Sequence, residues 1–201
     1  MRRLNLICDS QTAPTIISFL EAYTCSHGFE LCRISSDNGD TSIFERKELL
    51  VFAPGQWDAC PNTAMLQGIV LHVLEGGQML VLGGGMRTLH THEIHLMTSA
   101  RFLREMPMGE FAVEISDHLS KKQVKSTSIW DTPWIYDRSV FDNSEILVSM
   151  VLGSQRYPLM WHRPWFRGHV YCAATNLPAT ANPCYSPILQ NMLDEMAREG
   201  S

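Results

Sequence analysis

Residues 48–54 (ELLVFAP) and 78–83 (QMLVLG) hold near-continuous apolar runs, and the segment between them carries its apolar residues at helical spacing. A strand that buries one face alternates apolar with polar residues. A strand that does not alternate is covered on both faces, and the arrangement that covers both is a parallel sheet flanked by helices. In the intervening segment Leu66, Ile69, Val70 and Val73 form the buried stripe, Asn62 is placed to cap the start, and Gly76 and Gly77 end it. The same order occurs upstream. A strand at 4–9 (LNLICD) is followed by a helix with Ile16, Phe19, Leu20 and Tyr23 on one face, Thr12 and Pro14 near its start and Gly28 past its end, and then by a strand at 29–34 (FELCRI). Strands and helices in alternation predict an α/β fold with a doubly wound, flavodoxin-like, mostly parallel sheet.

From residue 111 the pattern changes. Strand candidates at 111–116, 145–152, 157–162 and 168–175 follow without helices between them, which predicts a mixed or antiparallel extension of the sheet. Ser186 and Pro187 form a cap and first-turn pair for a closing helix that presents Ile188, Leu189, Met192, Leu193 and Met196 to the extension. With 201 residues, 45% of them hydrophobic and no stretch of linker composition, residues 1–201 are expected to form a single domain.

The formal charge of -5 and the single short basic run of Lys121, Lys122 and Lys125 give no footprint for nucleic acid or an anionic membrane, so the expected partner is a small polar molecule such as a sugar. The run LNLIC is too short for a signal sequence, no apolar stretch reaches membrane length, and the six cysteines form no CxxC pair. A soluble, cytoplasmic protein with reduced, mostly buried thiols is expected, with no cofactor and with a homo-oligomer contact available to the Met-rich last helix.

In open parallel sheets ligands bind beyond the carboxyl ends of the strands, here in the loops after Ala53, Leu82 and Thr175. After Leu82 come Gly83, Gly84 and Gly85, which let backbone approach a ligand closely, although no dinucleotide or P-loop pattern follows and the turn has no nucleophile. Cys60 has no neighbouring cation in sequence to lower its pKa and reads as an ordinary thiol. Residues 89–95 (LHTHEIH) place His90, His92 and His95 beside Glu93. The spacing resembles part of a hydrolase zinc motif, with Ile94 where an aspartate ligand is needed. In a strand only His90 and His92 share a face, and in a helix only His92 and His95 do, so all three converge only in a loop. There, with Asp117, His118 or Asp131, they can hold a transition metal; otherwise they form a solvated turn. The segment 157–169 (YPLMWHRPWFRGH) interleaves Trp161, Trp165 and Phe166 with His162, Arg163, Arg167 and His169, as a sugar-stacking surface or as the core face and edge of two strands.

Three stretches carry a family resemblance: LHVLEGGQMLVLG, MTSARFLREMPMGEFAVEISDHL, and MWHRPWFRGHVYCAATNLPATANPCYSPILQNML. Their order resembles the trehalose-utilisation (ThuA-like) family, a branch of the class I glutamine amidotransferase-like superfamily. The resemblance implies that fold and a role near the metabolism of keto-type disaccharides. The chain departs from the family at polar positions: Gly83 stands where a histidine is common, Asn176-Leu177-Pro178 where Gly-His-Asp is common, and Asp131-Thr132 where an Asp-Glu pair is common. On this reading His90, His92, Glu93 and Asp131 are the acid–base candidates, and Gly83, Gly84, His118, Trp161 and Asn176 line the substrate. Two alternatives stand beside it: a non-catalytic binding or assembly module, and a metal-dependent hydrolase built on His90, His92 and His95.

Overall fold

The structure, a computed structural model, describes residues 2–36, 48–53, 55, 63–82, 96–100, 102–107, 109–116, 126–131, 134–136, 143–174 and 185–199. The first half follows the alternating pattern: β1 (Arg2–Cys8), α1 (Pro14–His27), β2 (Phe29–Ser35), β3 (Leu49–Phe52), α2 (Thr63–Leu74) and β4 (Gln78–Leu82). The second half adds β5 (Phe102–Glu105), β6 (Gly109–Ile115), β7 (Ser126–Asp131), β8 (Trp134–Tyr136), β9 (Glu145–Leu152), β10 (Gln155–Trp165) and β11 (Gly168–Ala173), and closes with α3 (Tyr185–Glu199).

Among the described residues, nine strands form one sheet in the order β2-β1-β3-β4-β11-β10-β9-β6-β7. The first five are parallel, and each strand from β10 onward runs antiparallel to its neighbour. The mixed extension is therefore present, with β11 returning from it to pair with β4 in the parallel block.

Side-chain alternation sorts the core onto two faces. Leu4, Leu6, Leu49, Val51, Leu80 and Tyr171 pack with residues of α1 and α3, while Ile7, Leu50, Phe52, Met79, Val81 and Cys172 pack with Met65, Ile69 and Val73 of α2. This two-sided burial is why the strands lack a polar alternation.

The helix ends follow local rules. Pro14 opens α1, where its missing N–H has no helical partner to lose, and Gly28 closes it at φ 70° with its N–H donating to the Thr24 carbonyl. α3 begins at Tyr185, which places the expected cap Ser186 inside the first turn beside Pro187. The helix lies against β4 of the parallel block, and its stripe of Ile188, Leu189, Met192, Leu193 and Met196 joins a core cluster that also holds Phe111, Val113 and Leu147 of the extension. Three strands, β5, β7 and β8, lack the apolar runs by which the others announce themselves. β5 and β8 pair with each other in a separate two-stranded ribbon.

Cys8, Cys25, Cys32 and Cys172 are free thiols. Among the described cysteines Cys172 alone is fully buried, and its burial pushes the thiol well above its ordinary pKa. Cys25 is exposed on α1, contrary to the expectation for a small hydrophobe, because it falls outside the Phe19–Tyr23 stripe. Among the described residues no helix is long and apolar enough to cross a membrane.

Candidate functional site

The order β2-β1-β3-β4, with α1 and α2 on opposite faces, puts the topological switch point between β1 and β3, where sheets of this kind open a ligand crevice at the carboxyl ends. Here that gap is bridged. Asp9, directly after β1, accepts hydrogen bonds on Oδ1 from the backbone N–H of Gln11 at 2.8 Å and of Gly55 at 3.0 Å. Thr12, closed to solvent, receives the Asp9 N–H at 3.0 Å and donates its hydroxyl to the Ala53 carbonyl at 2.9 Å. Gly55 sits so close to the Gln11 and Thr12 backbone that a Cβ would overlap it. The loops after β1 and β3 are thus fastened together. The sequence signal for this was an Asp-x-x-Thr turn behind an apolar strand, a side-chain-bonded turn by residue type.

The neighbouring strand ends lie beyond this fastening. Leu82 of β4 and Ala173 of β11 are register partners at the carboxyl edge, so the segments that continue from them begin one strand spacing apart, about 4.8 Å. In sequence these carry Gly83, Gly84, His90, His92, Glu93 and His95 on one side and Asn176 on the other. All of these residues, and His118, lie outside the described residues.

The far end of the histidine segment is anchored at 96–100. Met97 and Thr98 are closed to solvent and Ser99 takes a left-handed φ of 54°. Arg163 donates from Nη1 to the Leu96 carbonyl at 2.8 Å and also to the Ser99 hydroxyl. Burial draws this guanidinium below its ordinary pKa.

Trp161 belongs to the same anchor. Its indole N–H donates to the Thr98 carbonyl at 2.9 Å, its ring meets the Tyr136 ring edge-on at 5.5 Å, and its exposure is 0%. The expected substrate platform is therefore a core residue, because the 96–100 segment covers the face that a sugar would need. Strand alternation divides the rest of the aromatic and basic cluster: Trp161 and Trp165 face the α2 side, whereas the His162 ring lies against Tyr171 on the α1 and α3 side. It is not one stacking surface.

Asp131 ends β7 opposite Gly109. It stands at the crevice end of the sheet, but five strands along from β4, roughly 24 Å at ordinary strand spacing. The chain leaves β6 at the other end of the sheet, where the Ser116 N–H donates to the Leu147 carbonyl, so the segment that begins Asp117-His118 departs from the edge opposite the crevice. The fold brings the departures of the histidine segment and the Asn176 segment together, and does not bring those of Asp131 and His118 to the same place.

No family model and no curated protein matches the sequence. Solved structures do match the fold. A ThuA-like protein from Bacteroides uniformis superposes with a TM-score of 0.74 at 12% identity over 97% of this chain and 91% of that one. The fold is ThuA-like. A second ThuA-like protein, from Parabacteroides merdae, gives 0.72 at 13% identity over 98% and 90% of the two chains. A GMP synthase subunit from Thermoplasma acidophilum gives 0.68 at 13% over 98% and 95%, which ties the ThuA-like fold to the glutamine amidotransferase-like sheet. At such identities the likeness concerns backbone architecture alone.

Proposed function

We propose that this ThuA-like chain binds a small, polar, carbohydrate-like molecule at the carboxyl edge of β4 and β11, with His90, His92 and Glu93 as its acid–base groups. The observation that carries the reading is the register pair Leu82 and Ala173: it starts the histidine segment and the Asn176 segment side by side, while the more usual crevice between β1 and β3 is fastened by Asp9 and Thr12. Imidazole suits the task because its ordinary pKa, near 6.5, lets it take and give protons at neutral pH. A glycine triplet ahead of it permits close approach of backbone amides to sugar hydroxyls. The named role in trehalose or keto-disaccharide metabolism extends this proposal by analogy with the fold.

The test is calorimetric titration of the intact protein with a panel of mono- and disaccharides, aldo- and keto-forms, beside a His90→Ala/His92→Ala variant and with metal content measured in both. A sugar that binds the parent protein and binds the variant about 10-fold more weakly or worse supports the reading, since the loss of one charge-assisted hydrogen bond is worth about that much. Equal binding by both proteins, or none by the parent, defeats it. Stoichiometric metal that disappears in the variant replaces it with the metal-dependent hydrolase.

A further inference from the structure

At the edge of the sheet opposite the crevice, His162 Nε2 and His169 Nδ1 lie 2.7 Å apart across β10 and β11. The ring planes are within 16° of each other and the centroids are 5.0 Å apart, which is the N···N distance plus roughly a ring radius from each side. The imidazoles are therefore aligned end to end along a hydrogen bond rather than piled face to face. Such a bond needs one hydrogen and one lone pair.

We propose that His162 and His169 form a single-proton clasp between β10 and β11, closed while the pair carries at most one positive charge and opened when both rings are protonated. The surroundings support this count. From β9, Glu145 places Oε2 3.7 Å from His162 Nδ1; from β11, the Tyr171 ring lies against His162 at 4.5 Å; from β4, Gln78 is the register partner of His169, with its side-chain oxygen buried and, among the described residues, lacking a hydrogen-bond partner. His72 lies on the other face, among the α2 residues.

The neutral pair holds two ring protons on four nitrogens. A third proton fits: one N–H faces Glu145, one lies in the shared bond, and one occupies the remaining nitrogen of His169. A fourth would set two N–H groups head to head across 2.7 Å, which removes the bond and leaves two like charges in contact. The side chain of His162 is only 16% exposed, so water screens that repulsion poorly.

The experiment is a ring-nitrogen NMR titration of the intact protein, together with His162→Gln and His169→Gln variants and amide hydrogen exchange at each pH. In the parent, the pair is expected to take up its protons in two distinct steps, as groups that share one hydrogen bond do. Each single variant should leave one protonation step in place of two. Exchange of the amides at 162–170 should quicken at the lower step while β1 stays protected. Coincident single-site curves for both rings of the parent overturn the proposal, and that readout stands even where a variant fails to fold. Unchanged exchange through the lower step overturns the opening.

Discussion

Gly168 is the clearest case of a residue chosen by its surroundings. It starts β11 where the hairpin turn meets the end of α2, and a Cβ there would overlap the carbonyl oxygens of Val73 and Gly77. Both obstacles are backbone, so neither can rotate away. Gly168→Ala is expected to cost about 1–3 kcal/mol, as overpacking does, whereas Gly28→Ala meets no atom and should cost only the penalty of a left-handed φ of 70°, about 1–2 kcal/mol. Chemical denaturation of the two variants checks the order: a Gly168→Ala protein as stable as the parent would mean that the hairpin does not bear on α2. Sequence alone marked Gly76 and Gly77 as a helix end, since that role is local. It could not mark Gly168 or Gly55, because their reason is a neighbour far away in the chain.

Among the strands and helices, the parts that were legible are those whose own residues settle the matter. All eight apolar strand candidates appear, as do the three helices, because each carries a period or a continuous apolar run. β5 (FLRE), β7 (STSIWD) and β8 (WIY) were missed: short, mostly polar or isolated, they exist because a partner strand supplies their hydrogen bonds. α3 is the opposite case, an element whose stripe is unambiguous and which packs on the parallel block as well as on the expected extension. Since Leu193 is fully buried in the core shared with the parallel strands, Leu193→Ala should lower stability by about 2–5 kcal/mol, and a thermal melt that does not move would show that the helix is only loosely docked.

For the molecule as a whole, the pH response should bear the mark of His72. This imidazole is buried at the end of α2, its Nε2 3.4 Å from the Gln78 carbonyl, and desolvation holds its pKa below the ordinary value. The unfolded chain takes up the proton as pH falls through about 6.5, while the folded chain resists it, so the unfolded state binds more protons and stability is lost from about pH 6.5 downward until the folded group itself titrates. Melting temperatures measured from pH 8 to pH 5 should fall in the parent and fall less in His72→Gln; parallel curves would assign the acid loss elsewhere. The candidate site was the least legible feature of the whole. Carboxyl-edge loops can be named from strand order, but which of them is shut depends on Asp9 meeting Gly55, a contact between residues 46 positions apart.

The return of β11 bears on how the chain folds during synthesis. Within the sheet, the parallel block and the antiparallel extension are joined by this strand, which pairs with β4 on one side and β10 on the other. Until residue 173 has left the ribosome, β4 and β10 each present an unpaired edge, and neither half-sheet can cover the other's end. The ordering step is therefore late, nonlocal and all-or-none, the kind that sets a slow folding rate and exposes strand edges to other chains meanwhile.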